Sequence, residues 1–197
     1  SNDLLTMFVA LEVLSLPLYL LCGLARRRRL LSHEAAMKYF LLGAFSSALF
    51  LFGVAMLYGF SGSVRLTAIA AAAAGNTSNA TLLFTGIALT GVGLLFKIGA
   101  VPFHGWKPDV YQGAPTPITA LMASCVVVSA FGALLRVFYV AFGRLTWDWR
   151  PAFWVVAVLT MLVGAVVAIT QTDVKRLLAY SSIAHAGFIL TAVSATS

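Results

Sequence analysis

Long apolar stretches, separated by short polar ones, set the pattern of this chain. A helix of about 20 apolar residues crosses the hydrocarbon core of a bilayer. The pattern predicts an all-α polytopic membrane protein with about six transmembrane helices, at residues 3–25, 36–58, 80–112, 118–142, 151–170 and 177–195. We interpret residues 1–197 as a single membrane domain. Because the first residues enter a hydrophobic run directly, we expect this domain to be a fragment of a larger subunit.

The third stretch is too long for one straight helix, and we expect it to be discontinuous around Lys97–Pro102. Pro102 has no N–H to donate, and its ring clashes with the carbonyl of Ile98 in a helix. Gly99 lies in the same turn and weakens it further. The first half-helix is therefore predicted to end at Lys97 and the second near residue 112. Carbonyls freed by such a break need protein or water as hydrogen-bond partners, and they form a favourable binding site for a cation.

Composition supports the membrane assignment and argues against a nucleic-acid-binding protein. Hydrophobic residues make up 61% of the chain, charged residues only 10%, and the mean hydropathy is +0.97. Soluble domains carry about 25% charged residues. Basic residues outnumber acidic residues by 13 to 6. They lie at the ends of spans and not on one amphipathic helix face, so we expect lipid around the chain and no nucleic-acid partner.

The distribution of bases between the loops predicts the orientation. The positive-inside rule places the N-terminus of the fragment on the outer side. Eight bases then fall inside: Arg26, Arg27, Arg28, Arg29, Lys38, Lys107, Lys175 and Arg176. Three fall outside: Arg65, Arg144 and Arg150. In this arrangement residues 26–29 form a stop-transfer anchor and residues 60–79 an outer loop. The interfacial residue types that mark the cytoplasmic end of the broken helix are Trp106, Lys107 and Tyr111.

Some residues that often carry chemistry have a simpler interpretation here. Cys22 and Cys125 fall inside apolar runs, which favours packing residues over a disulfide. No spacing of histidine and cysteine indicates a metal or iron–sulfur site. Asn76 and Asn79 each begin an N-x-S/T triplet, and we interpret them as polar loop residues.

Lys97 and Glu12 are the strongest candidates for chemistry. A charged side chain at the centre of a bilayer costs about 2.5–3.5 kcal/mol on insertion scales, so an intramembrane lysine needs a reason. Burial favours the neutral amine, whereas a nearby carboxylate favours the ammonium. A lysine held between these effects can take up and release a proton when its partner moves. The alternative is a static buried ion pair that fixes the register of two helices.

Two histidines and an arginine are further ionisable candidates. His104, at the start of the second half-helix, could relay protons or cap that helix, and the sequence favours neither. His185 could line a hydrated path, although a packing histidine is the favoured interpretation. Arg136 does not titrate, which favours a structural ion pair or a lipid-facing position over a carrier. The sequence indicates no catalytic residue in the covalent sense and no metal ligand.

Three stretches carry motifs of a known family: Leu11-Glu12-Val13-Leu14-Ser15-Leu16-Pro17, then Phe96-Lys97 through Val101-Pro102-Phe103-His104 to Pro108-Asp109-Val110-Tyr111-Gln112-Gly113-Ala114-Pro115-Thr116-Pro117, then Gln171-Thr172-Asp173-Val174-Lys175-Arg176 through Phe188. They resemble the antiporter-like membrane subunits of the proton-pumping NADH-quinone oxidoreductase, respiratory complex I. The form Asp109-Val110-Tyr111-Gln112-Gly113 is similar to the N-type subunit, whose mitochondrial relative is subunit 2, and less so to the L and M paralogues.

The resemblance implies a function and its partners. In the family, the residues that match Glu12 and Lys97 form a pair at the first proton half-channel. The subunit itself carries no cofactor or redox centre, and flavin, iron–sulfur clusters and quinone are expected in partner subunits. Neighbouring antiporter-like and small hydrophobic subunits of complex I are the expected partners. The resemblance favours a bacterial plasma membrane, with the inner mitochondrial membrane or another organellar membrane as the alternative.

The chain departs from the family pattern at two positions. The family has a second lysine in the span after the broken helix, and alignment on Phe131 places Val127 at that position. Lys107 stands where a neutral residue is expected. Two other functions therefore stay open. One is a cation/proton antiporter subunit of the multi-subunit sodium/proton type, and the other is a non-conducting structural membrane module.

Overall fold

The computed structural model describes residues 1–25, 29–75 and 79–195. Two parts of the predictions, the bases at positions 26–28 and Asn76, lie outside the described residues. Within the described ranges the chain forms the α-helices α1 Leu4–Cys22, α2 Arg29–Ser61, α3 Leu66–Gly75, α4 Ala80–Ile98, α5 Trp106–Gly113, α6 Thr116–Leu121, α7 Val127–Val140, α8 Thr146–Ile169 and α9 Val174–Ala195. A π-helical turn, Met122–Val126, joins α6 to α7, and a 3₁₀ turn, Gly143–Leu145, precedes α8.

Six helical stretches are long and apolar enough to cross a membrane: Leu4–Cys22, Arg29–Ser61, Ala80–Ile98, Thr116–Val140, Gly143–Ile169 and Val174–Ala195. This confirms the predicted all-α polytopic fold. α1 starts where the carboxylate of Asp3 accepts a hydrogen bond from the backbone N–H of Thr6, as expected of an N-cap residue. The helix then continues through Pro17 to Cys22.

The prediction of an outer loop at residues 60–79 is corrected, because this segment contains the helix α3. α3 is built around five consecutive alanines, the residues with the highest helix propensity. Leu66 and Ile69 are fully buried, and α3 packs against α2 and α7. Sequence reasoning treated the alanine run as part of a loop because glycine, serine, asparagine and threonine lie on either side of it.

Small residues bring the central helices close together. α2 packs along α4, and a Cβ atom added at Gly93 would lie 2.7 Å from Cβ of Phe50. A Cβ atom at Gly53 would lie equally close to the backbone nitrogen of Thr90, at 2.7 Å. Close backbone approach of this kind is how membrane helices gain packing contacts. It places α4, which carries Lys97, in the interior of the bundle.

The cysteine prediction holds in part. Both cysteines are free, and Cys22 is buried. Cys125 is exposed, so its interpretation as a packing residue was wrong. It lies in the π-helical turn between α6 and α7, on a surface that faces away from the rest of the chain. An apolar run does not by itself tell which face of a membrane helix is turned toward its neighbours.

Candidate functional site

The broken helix is the structural centre of the site, and a glycine ends its first half. Gly99 has a φ of +78°, in the left-handed region that glycine adopts without steric cost. The N–H of Ala100 donates to the Leu95 carbonyl at 3.0 Å, and the N–H of Gly99 donates to the Phe96 carbonyl, also at 3.0 Å. These bonds form a Schellman motif. α4 thus ends at Ile98, one residue after the predicted end at Lys97, and Gly99 is the residue that turns the chain.

Two side chains from other positions satisfy the backbone of the break. The indole N–H of Trp106 donates to the Phe96 carbonyl at 3.0 Å. The N–H of Val101 donates to the hydroxyl of Thr160, on α8, at 3.0 Å. Thr160 is fully buried. The irregular segment at residues 99–105 is thus anchored at both ends by groups within the chain.

Lys97 lies at the last turn of α4 with its ammonium turned toward α1. Its residue is 3% exposed. The ammonium donates to the hydroxyl of Ser15 at 2.7 Å and to the hydroxyl of Tyr19 at 3.5 Å. Ser15 in turn donates to the carbonyl of Leu11 at 2.6 Å. The buried charge is therefore held by neutral hydroxyl groups of α1.

Glu12 lies beside Lys97, but the two do not form a direct ion pair. The Glu12 carboxylate accepts a short hydrogen bond from the hydroxyl of Ser47, on α2. No oxygen of Glu12 lies within 4.0 Å of the Lys97 nitrogen among the ion pairs of the described residues. Both side chains line a cavity of about 10 Å³, which is room for about one water molecule.

Ser15 and Tyr19 were missed in the sequence, although a signal was present. Residues three and seven positions apart share one face of a helix, and Glu12, Ser15 and Tyr19 follow that spacing. A polar stripe through an apolar helix therefore marked the face that meets Lys97. Thr160 gave no such signal, because a single threonine in a membrane helix commonly hydrogen-bonds its own backbone.

Lys107 is the largest difference from the sequence prediction. Lys107 was expected at the cytoplasmic interface, yet it is 0% exposed, and Trp106 and Tyr111 are buried as well. The reason is that α5 is only eight residues long and packs against α2 and α9. The Lys107 ammonium donates to the carbonyl of Ile98 at 3.1 Å and lies 5.6 Å from the centre of the Tyr111 ring.

His104 lies in the turn before α5 and does not cap that helix with its side chain. α5 begins at Trp106 after Gly105, without a side-chain capping bond. The backbone carbonyl of His104 accepts from the Lys107 N–H at 2.9 Å. Its Nδ1 atom is buried and makes no hydrogen bond of good geometry within the part of the chain that the structure describes. The capping interpretation is therefore wrong, and the proton-relay role stays a prediction.

His185 and Arg136 lie away from this cluster. His185 is exposed on α9, where its Nδ1 is 2.8 Å from the Ser181 carbonyl. Its ring also lies 5.9 Å from the ring of Phe188, and both interpretations of His185 stay predictions. Arg136 is also exposed, and its Nε donates to the carbonyl of Ser1 at 3.2 Å. The structure therefore brings together Lys97, Glu12 and the break, and leaves these two residues outside. No group of three metal-binding side chains occurs in residues 1–25, 29–75 and 79–195.

An ion-pair cluster around Asp109 fixes α5 at its other side. The Asp109 carboxylate contacts Lys38 of α2 at 2.7 Å and Arg176 of α9 at 2.5 Å. Burial raises the pKa of the Asp109 carboxyl, but the hydrogen bonds from Lys38 and Arg176 outweigh burial and hold that pKa below its usual value. Lys38 also pairs with Glu34, one helical turn earlier, at 2.7 Å. Residues from two motifs distant in sequence thus meet here.

Comparison with known proteins agrees with this geometry. The chain is 73% identical over 195 residues to NADH-quinone oxidoreductase subunit N of Rhodococcus opacus, and the match covers 99% of the chain and 36% of the relative. The subunit N of Thermobifida fusca is 70% identical, with 99% of the chain and 36% of the relative covered. The chain therefore spans about a third of the length of these curated relatives.

Solved structures show the same arrangement of helices. A chain of respiratory complex I from Thermus thermophilus matches with a TM-score of 0.83 at 45% identity, over 98% of this chain and 40% of that one. A chain of the Mrp complex from Dietzia sp. matches with a TM-score of 0.89 at 29% identity, over 98% and 36%. The family model described as NADH:quinone oxidoreductase/Mrp antiporter, TM, matches residues 1–197. The chain is an integral membrane protein and belongs to this family.

Proposed function

We propose that this chain supplies a proton half-channel to a proton-translocating membrane subunit of an NADH-quinone oxidoreductase. Lys97 takes up and releases the proton, and Glu12 modulates the charge of Lys97. The observation that carries the proposal is the position of Lys97, a lysine 3% exposed at the end of a broken membrane helix. An intramembrane ionisable residue beside irregular backbone is the usual arrangement of an ion pathway.

The contacts of Lys97 support a proton switch. Hydroxyl groups of Ser15 and Tyr19 hold the ammonium. Because the Ser15 hydroxyl already donates to the Leu11 carbonyl, the Tyr19 hydroxyl is the donor for the neutral amine. Both protonation states of Lys97 thus have partners without a change of fold. One water molecule in the cavity shared with Glu12 would connect the carboxylate to the amine. A change in the separation of Glu12 and Lys97 then changes the affinity of the amine for its proton.

The energy for this transfer comes from elsewhere in the assembly. NADH oxidation, flavin, iron–sulfur clusters and quinone belong to partner subunits in this proposal, and the chain itself moves protons only. Its membrane neighbours are other antiporter-like and small hydrophobic subunits. The names of the relatives and the complex I match support this assignment.

The bacterial relatives favour a bacterial plasma membrane. The N-terminus of the fragment lies on the outer side in this proposal. Because Lys107 is buried, it no longer counts as a loop base, and seven inner bases then oppose three outer ones. The asymmetry of the positive-inside rule is kept.

A cation/proton antiporter subunit is the second candidate function. The TM-score of 0.89 to a chain of the Mrp complex supports it. The two candidates differ in their partners and in the transported ion. Copurification of the full-length subunit with flavin- and iron–sulfur-containing subunits would favour the first. A non-conducting structural module is the third interpretation, and the small size of the cavity beside Lys97 is its support.

The test is substitution of Lys97 in the full-length subunit within its assembled complex. Protons pumped per NADH oxidised are measured in inverted membrane vesicles. Lys97→Met removes the charge, and Lys97→Arg keeps a charge that does not titrate; both are expected to lower the ratio. Lys175→Met is the matched control, because Lys175 donates to the Ala114 carbonyl at the partly exposed end of α5. An unchanged ratio in an assembled Lys97→Met complex would exclude the carrier role.

A further inference from the structure

Three of the last four carbonyls of α4, those of Leu95, Phe96 and Ile98, accept hydrogen bonds from within the chain. The carbonyl of Leu95 accepts from the N–H groups of Gly99 and Ala100, and that of Phe96 accepts from Gly99 and from the indole of Trp106. The carbonyl of Ile98, at the very end of the helix, accepts from the Lys107 ammonium. The C-terminal end of a helix carries partial negative charge, and at a membrane break such an end commonly coordinates a cation.

Lys107 has no anionic partner in residues 1–25, 29–75 and 79–195. Among the described residues the carboxylate of Asp109 pairs with Lys38 and Arg176, and that of Glu12 accepts from a serine. The groups that favour the ammonium form of Lys107 are therefore the end of α4 and the face of the Tyr111 ring. These are the interactions that a free cation would make at the same place.

The path of the side chain also depends on the break. Lys107 passes so close to Gly99 that a Cβ atom there would lie 2.7 Å from Cδ of Lys107. Gly99 thus serves two purposes, because it turns the chain with a positive φ and leaves room for the lysine. Lys107 is 0% exposed, so its side chain fills the space next to the C-terminal end of α4.

We propose that Lys107 is a tethered cation that fills the cation site at the end of α4 and excludes free sodium or potassium from it. A tethered group acts at the effective concentration set by its short linker, whereas a free ion must lose its hydration shell to enter. The exclusion goes beyond the proposed proton transfer. Only its consequence rests on the proposed function: with the site filled, Lys97 takes up and releases protons without a competing cation nearby.

The experiment measures sodium binding, which does not depend on proton pumping. Complexes that contain the full-length subunit are purified as wild type, Lys107→Met and Lys107→Thr, and equilibrium binding of radioactive sodium is measured. The Met and Thr variants are expected to bind sodium at least about tenfold more tightly than the wild type, since the ammonium no longer competes for the helix end. The Thr variant covers the case in which a buried Met prevents assembly.

Two controls separate the effect of charge at this site from a general loss of lysine. Lys107→Arg keeps a cation below the helix end and is expected to bind sodium as the wild type does. Lys175→Met removes a lysine that caps the end of α5 at a partly exposed position, and it is also expected to match the wild type. Wild-type sodium affinity in the assembled Met or Thr variant would overturn the inference. So would a wild type that already binds sodium as tightly as these variants. Failure of the Lys97 pumping test leaves this readout unaffected.

Discussion

The Lys97 ammonium lies 2.7 Å from the Ser15 hydroxyl, so the buried charge of α4 is held by α1 through a neutral partner. Ser15 is 1% exposed, and its hydroxyl donates a hydrogen bond to the Leu11 carbonyl. Glu12, one turn earlier on α1, meets Lys97 only across a small cavity. The lysine and the glutamate are therefore near neighbours without being locked as an ion pair, which leaves their separation free to change.

Replacement of Ser15 by alanine is expected to impair proton transfer without preventing assembly. A hydrogen bond to a charged group is worth about 1.5–3 kcal/mol, and its loss disfavours the ammonium form of Lys97. The ratio of protons pumped to NADH oxidised should fall in Ser15→Ala. Ser15→Thr keeps the hydroxyl and is expected to retain most of the ratio. Equal ratios in the two variants would contradict the role of the hydroxyl.

Removal of the Asp109 charge is expected to lower stability by a modest amount. Asp109 joins α5 to α2 and α9 through Lys38 and Arg176. Because these side chains are about a third exposed, each pair should contribute no more than about 1 kcal/mol. Asp109→Asn should therefore lower the melting temperature of the complex. The double variant Asp109→Asn with Arg176→Gln should lower it further only through the hydrogen bonds that Arg176 donates to Gln171 and Gln112.

The effect of Asp109 also has a defined pH dependence. The folded-state pKa of this carboxyl lies below its usual value, so its stabilisation is fully present above the unfolded pKa of about 4 and is lost as the pH falls through the folded value. The difference in melting temperature between wild type and Asp109→Asn should stay constant from neutral pH down to about pH 5. A difference that already shrinks between neutral pH and that point would contradict the assigned ion pairs.

The apolar pattern predicted the helices well because each span must hide its backbone from lipid. The break was predictable too, since Gly99 and Pro102 closely follow an apolar run that is too long for one straight helix and that carries an intramembrane lysine. Lys107 was not predictable in this way. A lysine beside Trp106 and Tyr111 has the composition of a membrane interface, and only the packing of the short α5 against α2 and α9 buries it.

Contacts between distant segments were likewise beyond the sequence. Asp109 and Arg176 lie 67 positions apart, and each belongs to a motif that could be noted without knowing that the two meet. Thr160 is an even plainer case, because its hydroxyl serves a backbone N–H 59 positions away. Local patterns determine helices, whereas these partners follow from how the helices pack.

Replacement of Gly43 by alanine is expected to disturb the site through Tyr19. A Cβ atom at Gly43, on α2, would collide with the hydroxyl of Tyr19, which is a hydrogen-bond partner of Lys97. Overpacking of this kind costs about 1–3 kcal/mol. Gly43→Ala should lower both the melting temperature and the pumping ratio. Gly132→Ala is the matched control in α7, because no atom lies within 4 Å of the added Cβ. Equal effects of the two substitutions would argue against the close contact.

Replacement of Thr160 by valine tests whether the break must be held from α8. Valine has nearly the shape of threonine but cannot accept the hydrogen bond from the Val101 N–H, and a buried N–H without a partner costs about 1–3 kcal/mol. Thr160→Val should therefore lower the melting temperature, and it should lower the pumping ratio because the segment after Lys97 is released. Thr160→Ser restores the acceptor and is expected to recover both values in part, at the cost of one lost methyl group. If valine and serine variants were equally stable, the hydroxyl would have no part in fixing the broken helix.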